Sequence, residues 1–180
     1  IEGDTQDNIL DGYTGTADTI SYENTNSSVI VNLGSAINAD INFDATPNVI
    51  AASSGTSTTG GNDTLKNFDN ITGSKNNDTL IGDANANTIN GGLGDDLLLG
   101  GAGSDNFLGG DGNNTVSYAL EAQVTAKLTR GFIQGTGKVG STDTDVFKNI
   151  QNIIGTTGND IIEGNEEANT LIGGAGIDTL

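Results

Sequence analysis

Stepping by nine from Gly73 lands on glycine five times running, at Gly73, Gly82, Gly91, Gly100 and Gly109. The sixth residue of each step is Asp78, Asn87, Asp96, Asp105 or Asn114, and the eighth is Leu80, Ile89, Leu98, Phe107 or Val116. A second array starts at Gly155, Gly164 and Gly173, with Asp160, Asn169 and Asp178 sixth and Ile162, Leu171 and Leu180 eighth. A period this strict restricts a chain to a stack of equivalent coils. The last three residues of a unit, such as Leu97–Leu99, suit a short strand whose middle side chain points inward. The first six suit a turn. One buried side chain does not offset the ordering entropy of its unit, so the strands must pair in parallel along an axis. Two units then make one coil, with turns alternating between two sides. Turns two units apart should stack: those starting at 73 and 91, 82 and 100, 91 and 109, and 155 and 173.

Composition decides what such a stack would bind. Against 6 basic residues stand 24 acidic ones, a formal charge of -18, and only 33% of residues are hydrophobic. A chain of that kind stays disordered unless something else stabilises it. Nucleic acid is excluded as a partner, because phosphate binding needs Lys and Arg. There is no His and no Cys, so the usual zinc ligands, the commonest general base and any disulfide are absent. No apolar run reaches membrane-spanning length. A cation is the natural partner. Glycine lets the backbone bend closely around an object, and stacked turns would present sixth-place carboxylates beside glycine carbonyls. That is an all-oxygen environment of the sort calcium selects, with six to eight ligands in flexible geometry. Magnesium wants a stricter octahedron.

A Gly/Asp/Asn-rich tract is commonly a flexible linker, but a linker has no need of Leu, Ile and Phe at a fixed phase. Asn in the sixth place removes a charge, so Asn87, Asn114 and Asn169 are candidate ligands of weaker turns. Asp83, Asp95 and Asp111 fall outside the sixth place and are expected in solvent. Glu167 stands where glycine is expected and weakens the turn at 164–169. Degenerate turns ending at Asp63 and Asp145 add two more candidate metal ligands. Counting turns in this way gives on the order of four to eight ions. No catalytic residues are expected: the acids are accounted for by the repeat, and Pro47 follows Thr46, so no Asp-Pro bond exists for self-cleavage.

A longer repeat lies over the short one. "DTISY" at 18–22 recurs as "NTVSY" at 114–118, and "LKNFDNITG" at 65–73 recurs as "FKNIQNIIG" at 147–155. Residues 1–22 therefore read as the end of an array, with Gly3, Asn8 and Leu10 in place, and 23–64 as a β-strand spacer. Residues 65–118 form a roll of five nonapeptides, 119–146 a second spacer, and 147–180 a second roll cut short at the C-terminus. In the spacers Val29, Val31 and Leu33 would share one strand face, as would Ile41 and Phe43, while 53–62 reads as a loop. No amphipathic helix is expected.

The units "GGLGDDLLL" and "GGAGSDNFL" resemble the RTX (repeat-in-toxin, haemolysin-type calcium-binding) nonapeptide. The spacer phrases resemble those of large secreted or surface RTX adhesins. The resemblance implies an all-β fold, a right-handed parallel β-roll or β-solenoid with calcium ions between stacked glycine-rich turns. It implies that Asp78, Asp96, Asp105, Asp160 and Asp178 hold the ions, together with carbonyls of the glycine turns. By position those are Gly91, Gly92 and Gly94, then Gly100, Gly101 and Gly103, then Gly109, Gly110 and Gly112, then Gly173, Gly174 and Gly176. It further implies type I secretion from a Gram-negative bacterium to the medium or cell surface. The expected function is a non-catalytic calcium-binding structural module that folds on extracellular calcium and serves as an extender or secretion-folding region. The alternatives are the accessory tail of a secreted protease, lipase or alginate epimerase, and a polysaccharide-binding module. Expected partners are calcium and neighbouring domains of a larger chain, with a surface polysaccharide or host ligand as a further class.

Overall fold

A computed structural model describes residues 9–15, 17–34, 54–57, 62–129, 135–139 and 142–180. All regular structure in them is strand. The chain passes back and forth between two facing sheets. β1 (Ile9–Asp11) lies in the first sheet and β2 (Thr19–Ser21) in the second. β3 (Val29–Asn32), β4 (Ser54–Ser57) and β5 (Asn62–Lys66) then form an antiparallel meander in the first sheet. Single strands follow in strict alternation, beginning in the second sheet: β6 (Asn70–Thr72), β7 (Thr79–Ile81), β8 (Thr88–Asn90), β9 (Leu97–Leu99), β10 (Asn106–Leu108) and β11 (Thr115–Ser117). A second meander of β12 (Val124–Lys127), β13 (Gly135–Val139) and β14 (Asp143–Lys148) sits in the second sheet. β15 (Asn152–Ile154), β16 (Ile161–Glu163) and β17 (Thr170–Ile172) resume the alternation. The result is a parallel β-roll with sheet orders β1-β5-β4-β3-β7-β9-β11-β15-β17 and β16-β12-β13-β14-β10-β8-β6-β2.

The nine-residue phase sets the register. Leu80 pairs with Leu98, Leu98 with Val116, Val116 with Ile153 and Ile153 with Leu171. In the facing sheet Ile20, Ile71, Ile89, Phe107 and Phe147 make the matching ladder. The eighth-place residues Leu80, Ile89, Leu98, Phe107 and Val116 are fully buried. In the nonapeptide arrays the core is therefore two facing columns of side chains, one per strand.

Each meander runs backwards along the stack. β3 pairs in parallel with β7 and β5 with β1, so the chain jumps ahead, then folds back to the coil it left. In the second meander β12 pairs with β16 and β14 with β10. Val29, Val31, Val124, Ala126, Leu128 and Phe147 join the same core as the nonapeptide ladders. An even number of single strands separates the meanders, so they fall in opposite sheets and, among the described residues, keep the two sheets at 9 and 8 strands.

The phrases "LKNFDN" and "FKNIQN" make the exits from the two meanders. Asn67 and Asn149 take the left-handed conformation, at φ 56° and 57°, which Asn tolerates better than most residues. A turn of three residues then replaces the usual six, and Phe68 and Ile150 enter the core. One expectation is corrected here: 53–62 is not wholly loop, because Ser54–Ser57 is a strand held by antiparallel pairing on both edges. Its residues have weak strand preference, and the pairing overrides it. Val29 and Val31 are buried and Leu33 packs against the core, as read. Ile41, Phe43, Pro47, Gly3 and Asn8 lie outside the described residues.

Candidate metal centre

Each sixth-place residue stands just before a strand, so its N–H points along the stack towards the next turn on that side. There the side-chain oxygen of the next sixth-place residue accepts it. On one side Val29 N–H donates to Asp78 Oδ1 (2.8 Å), Asp78 to Asp96 Oδ1 (2.9 Å), Asp96 to Asn114 Oδ1 (3.0 Å) and Asn114 to Gln151 Oε1 (2.7 Å). On the other side Asn87 N–H donates to Asp105 Oδ1 (2.9 Å) and Asp105 to Asp145 Oδ1 (2.8 Å). Beyond the second meander, Val124 donates to Asp160 Oδ1 (2.8 Å) and Asp160 to Asp178 Oδ1 (2.9 Å). The turns predicted to stack, 73 on 91, 91 on 109, 82 on 100 and 155 on 173, are joined by these bonds.

Only one oxygen of each carboxylate is used by this chain of bonds. Asp96 Oδ2 and Asp105 Oδ2 are buried with no hydrogen-bond partner, in residues 2% and 1% exposed. In the aspartate turns the first glycine faces this second oxygen. A Cβ on Gly91 would strike Asp96 Oδ2 and come 2.6 Å from the Gly109 carbonyl oxygen of the next turn. A Cβ on Gly73 would come 2.5 Å from Asp78 Oδ2 and strike the Gly91 carbonyl; on Gly155 it would come 2.5 Å from Asp160 Oδ2 and strike the Gly173 carbonyl. A carboxylate oxygen of one turn and a backbone carbonyl of the next thus converge on the same small space. Among the described residues no three acidic side chains converge on one point. Carbonyls must complete any coordination shell.

The donor set fits a hard cation. It is all oxygen, and the chain has neither His nor Cys to attract a softer metal. Burial, opposed by the N–H of Asp78, pushes the Asp96 carboxyl up to about 7. Burial likewise pushes Asp105 up to about 7, with Asp145, Asp83 and Glu121 adding negative charge nearby. Burial also raises Asp78 and Asp145. Among the described residues no basic side chain acts on any of these four. An ionised buried carboxylate without a countercharge is costly, and a bound cation removes that cost.

A pH dependence of defined sign follows. Without the ion, folded Asp96 and Asp105 retain protons up to about pH 7 that the unfolded chain releases near pH 4. The ion-free fold therefore weakens as pH rises from about 4 to about 7 and changes little above. A cation at either position needs that carboxylate charged, so affinity rises over the same window. Calcium titrations at about pH 8 and about pH 5.5 should give clearly weaker binding at the lower pH. Equal affinity at both would show that these carboxylates do not meet the ion.

The other predicted residues are placed as follows. Asp63 and Asp145 are buried at the entry to the third strand of each meander. Tyr22 Oη donates to Asp63 Oδ2 at 3.0 Å, and buried Tyr118 stands beside Asp145. The Asn side chains are cross-linked instead: Nδ2 of Asn87 donates to the Asp69 carbonyl (2.7 Å), that of Asn114 to Asn149 (3.2 Å) and that of Asn169 to Gln151 (2.8 Å). Asp95 and Asp111 are exposed, while half-buried Asp83 accepts from Asn85. The turn at 164–169 forms with Glu167 exposed, its N–H donating to Asn165 Oδ1. Three column residues were missed. Asp69 and Gln151 lie nine residues before Asp78 and Asp160, so continuing the count backwards would have found them. Asp18 aligns with Asn114 in the longer repeat, and its N–H donates to Asp69 Oδ2 at 2.9 Å.

No curated protein matches this chain. A family model of the RTX calcium-binding nonapeptide repeat matches it in four copies, over residues 67–98, 81–116 and 150–180.

Proposed function

We propose that the chain, whose residues 67–116 and 150–180 match a model of the RTX calcium-binding nonapeptide repeat, a repeat that binds calcium between its turns, is a calcium-folded structural spacer of a secreted or cell-surface protein. The observation that carries this reading is that Asp96 Oδ2 and Asp105 Oδ2, like Asp18 Oδ2, are buried without a hydrogen-bond partner, in a fold whose nonapeptide strands each give the core one eighth-place side chain. Asp96 and the Gly109 carbonyl face one ion position, and Asp105 faces another at the join with the second meander. When bound, the ion supplies positive charge and draws successive turns together. The chain's own residues do the rest. The column N–H groups orient each carboxylate, the glycines leave room, and the ladders hold the turns in phase.

RTX repeat proteins are typically secreted, and among the described residues no helix is long and apolar enough to cross a membrane. A rod that is unstable where calcium is scarce and stiff where it is abundant suits a part that crosses an export channel unfolded and then spaces its neighbours. Its role is non-catalytic and extending. The meanders support this, because they carry the same two sheets from one nonapeptide array into the next without a break. Isothermal titration of the chain should show uptake of several calcium ions, with magnesium unable to compete at equal concentration. No heat and no change in hydrodynamic size on adding calcium would overturn the proposal.

A further inference from the structure

The turns of the two arrays differ at their second place. Ser74, Asp83, Thr156 and Asn165 occupy it in four turns, and Gly92, Gly101, Gly110 and Gly174 in the other four. The two groups have different backbones. The glycines lie at φ 104°, 87°, 86° and 100°, in the left-handed region that side chains avoid, whereas none of the four other residues has a positive φ.

With a side chain present, the turn folds onto itself. The second residue's N–H donates to the sixth-place side-chain oxygen: Ser74 to Asp78 Oδ2 (2.5 Å), Asp83 to Asn87 Oδ1 (2.8 Å), Thr156 to Asp160 Oδ2 (2.6 Å) and Asn165 to Asn169 Oδ1 (2.8 Å). Its side-chain oxygen in turn accepts the N–H of the fourth residue: Asn76 to Ser74 Oγ (3.1 Å), Asn85 to Asp83 Oδ1 (2.8 Å), Gly158 to Thr156 Oγ1 (2.9 Å) and Glu167 to Asn165 Oδ1 (2.9 Å). The hydroxyls of Ser74 and Thr156 also donate to Asp78 Oδ1 (2.8 Å) and Asp160 Oδ1 (2.9 Å). Both oxygens of those two carboxylates are thereby occupied. In the glycine turns nothing takes that place, and Asp96 Oδ2 and Asp105 Oδ2 are left without a donor.

Gly158 shows that the second place leads. It is a fourth-place glycine, free to adopt the positive φ of Gly94, Gly103, Gly112 and Gly176 (111–118°), yet it does not, because Thr156 holds its N–H.

We infer that the second residue of each nonapeptide decides whether its turn takes up calcium: a side chain there closes the turn onto its own sixth-place oxygen, and glycine leaves that oxygen for an ion. The inference rests on the calcium reading above and narrows it. Asp78 and Asp160 carry the consensus acid, but their turns are closed. Asp96, Asp105 and Asp178 sit in open ones. Closed turns need no ion of their own in the folded chain and act as fixed rungs between calcium-dependent ones.

Thr156→Gly converts "GTTGND" to "GGTGND", and is the decisive test, with Ser74→Gly as an independent second. Calcium uptake of each full chain is measured by isothermal titration, and protection of the amide at position 156 or 74 by hydrogen exchange in saturating calcium, where the chain is folded. Each glycine variant should take up about one further calcium per chain and lose protection of that amide. Thr156→Ser, which keeps both the side chain and the hydroxyl, should titrate like the parent. Parental stoichiometry and affinity in both glycine variants, or a gain in Thr156→Ser equal to that in Thr156→Gly, would overturn the inference. A parent chain that takes up no calcium would instead overturn the proposed function.

Discussion

In EDTA at neutral pH the chain should lose its β-sheet circular dichroism and its cooperative melt, and regain both on adding millimolar calcium. Six aspartates, Asp63, Asp78, Asp96, Asp105, Asp145 and Asp160, are buried in the fold. The whole chain carries 24 acidic against 6 basic residues. Folding without a cation would bring these charges together out of water, against a backbone entropy cost of about 1–2 kcal/mol per residue. The core takes one eighth-place side chain from each nonapeptide strand, which is little to set against nine ordered residues. A ligand that binds only the folded state stabilises it by about 2.7 kcal/mol per site at a hundredfold excess over Kd. Several such sites separate a folded from an unfolded chain, since whole domains are stable by only about 5–15 kcal/mol. Magnesium should restore little, because it resists shedding its waters for a shell of fixed carbonyls. A cooperative melt in EDTA with unchanged β signal would show that the meanders and ladders suffice alone.

Asp96→Ala should be far more damaging than Asp95→Ala, although the two acids are adjacent. Asp96 is 2% exposed; its Oδ1 accepts the Asp78 N–H and its Oδ2 faces the space beside Gly91. Removing it takes away a cage ligand and leaves the buried Asp78 N–H without an acceptor, which alone costs about 1–3 kcal/mol. Asp95 is exposed and its Oδ1 accepts the N–H of exposed Asn113. Water can replace that acceptor, so the change should stay within about 0.5 kcal/mol. In calcium, Asp96→Ala should lower both the melting temperature and calcium affinity, while Asp95→Ala leaves affinity unchanged. Equal losses would mean that the fifth place, and not the sixth, faces the ion.

Much of this arrangement was determined by the sequence alone. Glycine, acid and apolar residue at fixed places in a nine-residue period admit one solution, a stack in which each residue type meets its own kind one coil later. The ladders, the sixth-place columns and the pairs of stacked turns follow from counting, because neighbours 18 residues apart along the chain are neighbours in space. Three things were decided by tertiary structure. Asp145 lies against Asp105 across 40 residues because the second meander folds back to the coil it left, and no period predicts that distance. Ser54–Ser57 is a strand because β3 and β5 offer it two edges, which its own residues do not foretell. Asp78 and Asp96 occupy equivalent places in one column, yet Ser74 holds the carboxylate of the first while Gly92 leaves that of the second unmet. The sequence names the acid at each turn. Whether its oxygens are free depends on where a backbone N–H points, and that is a property of the folded turn.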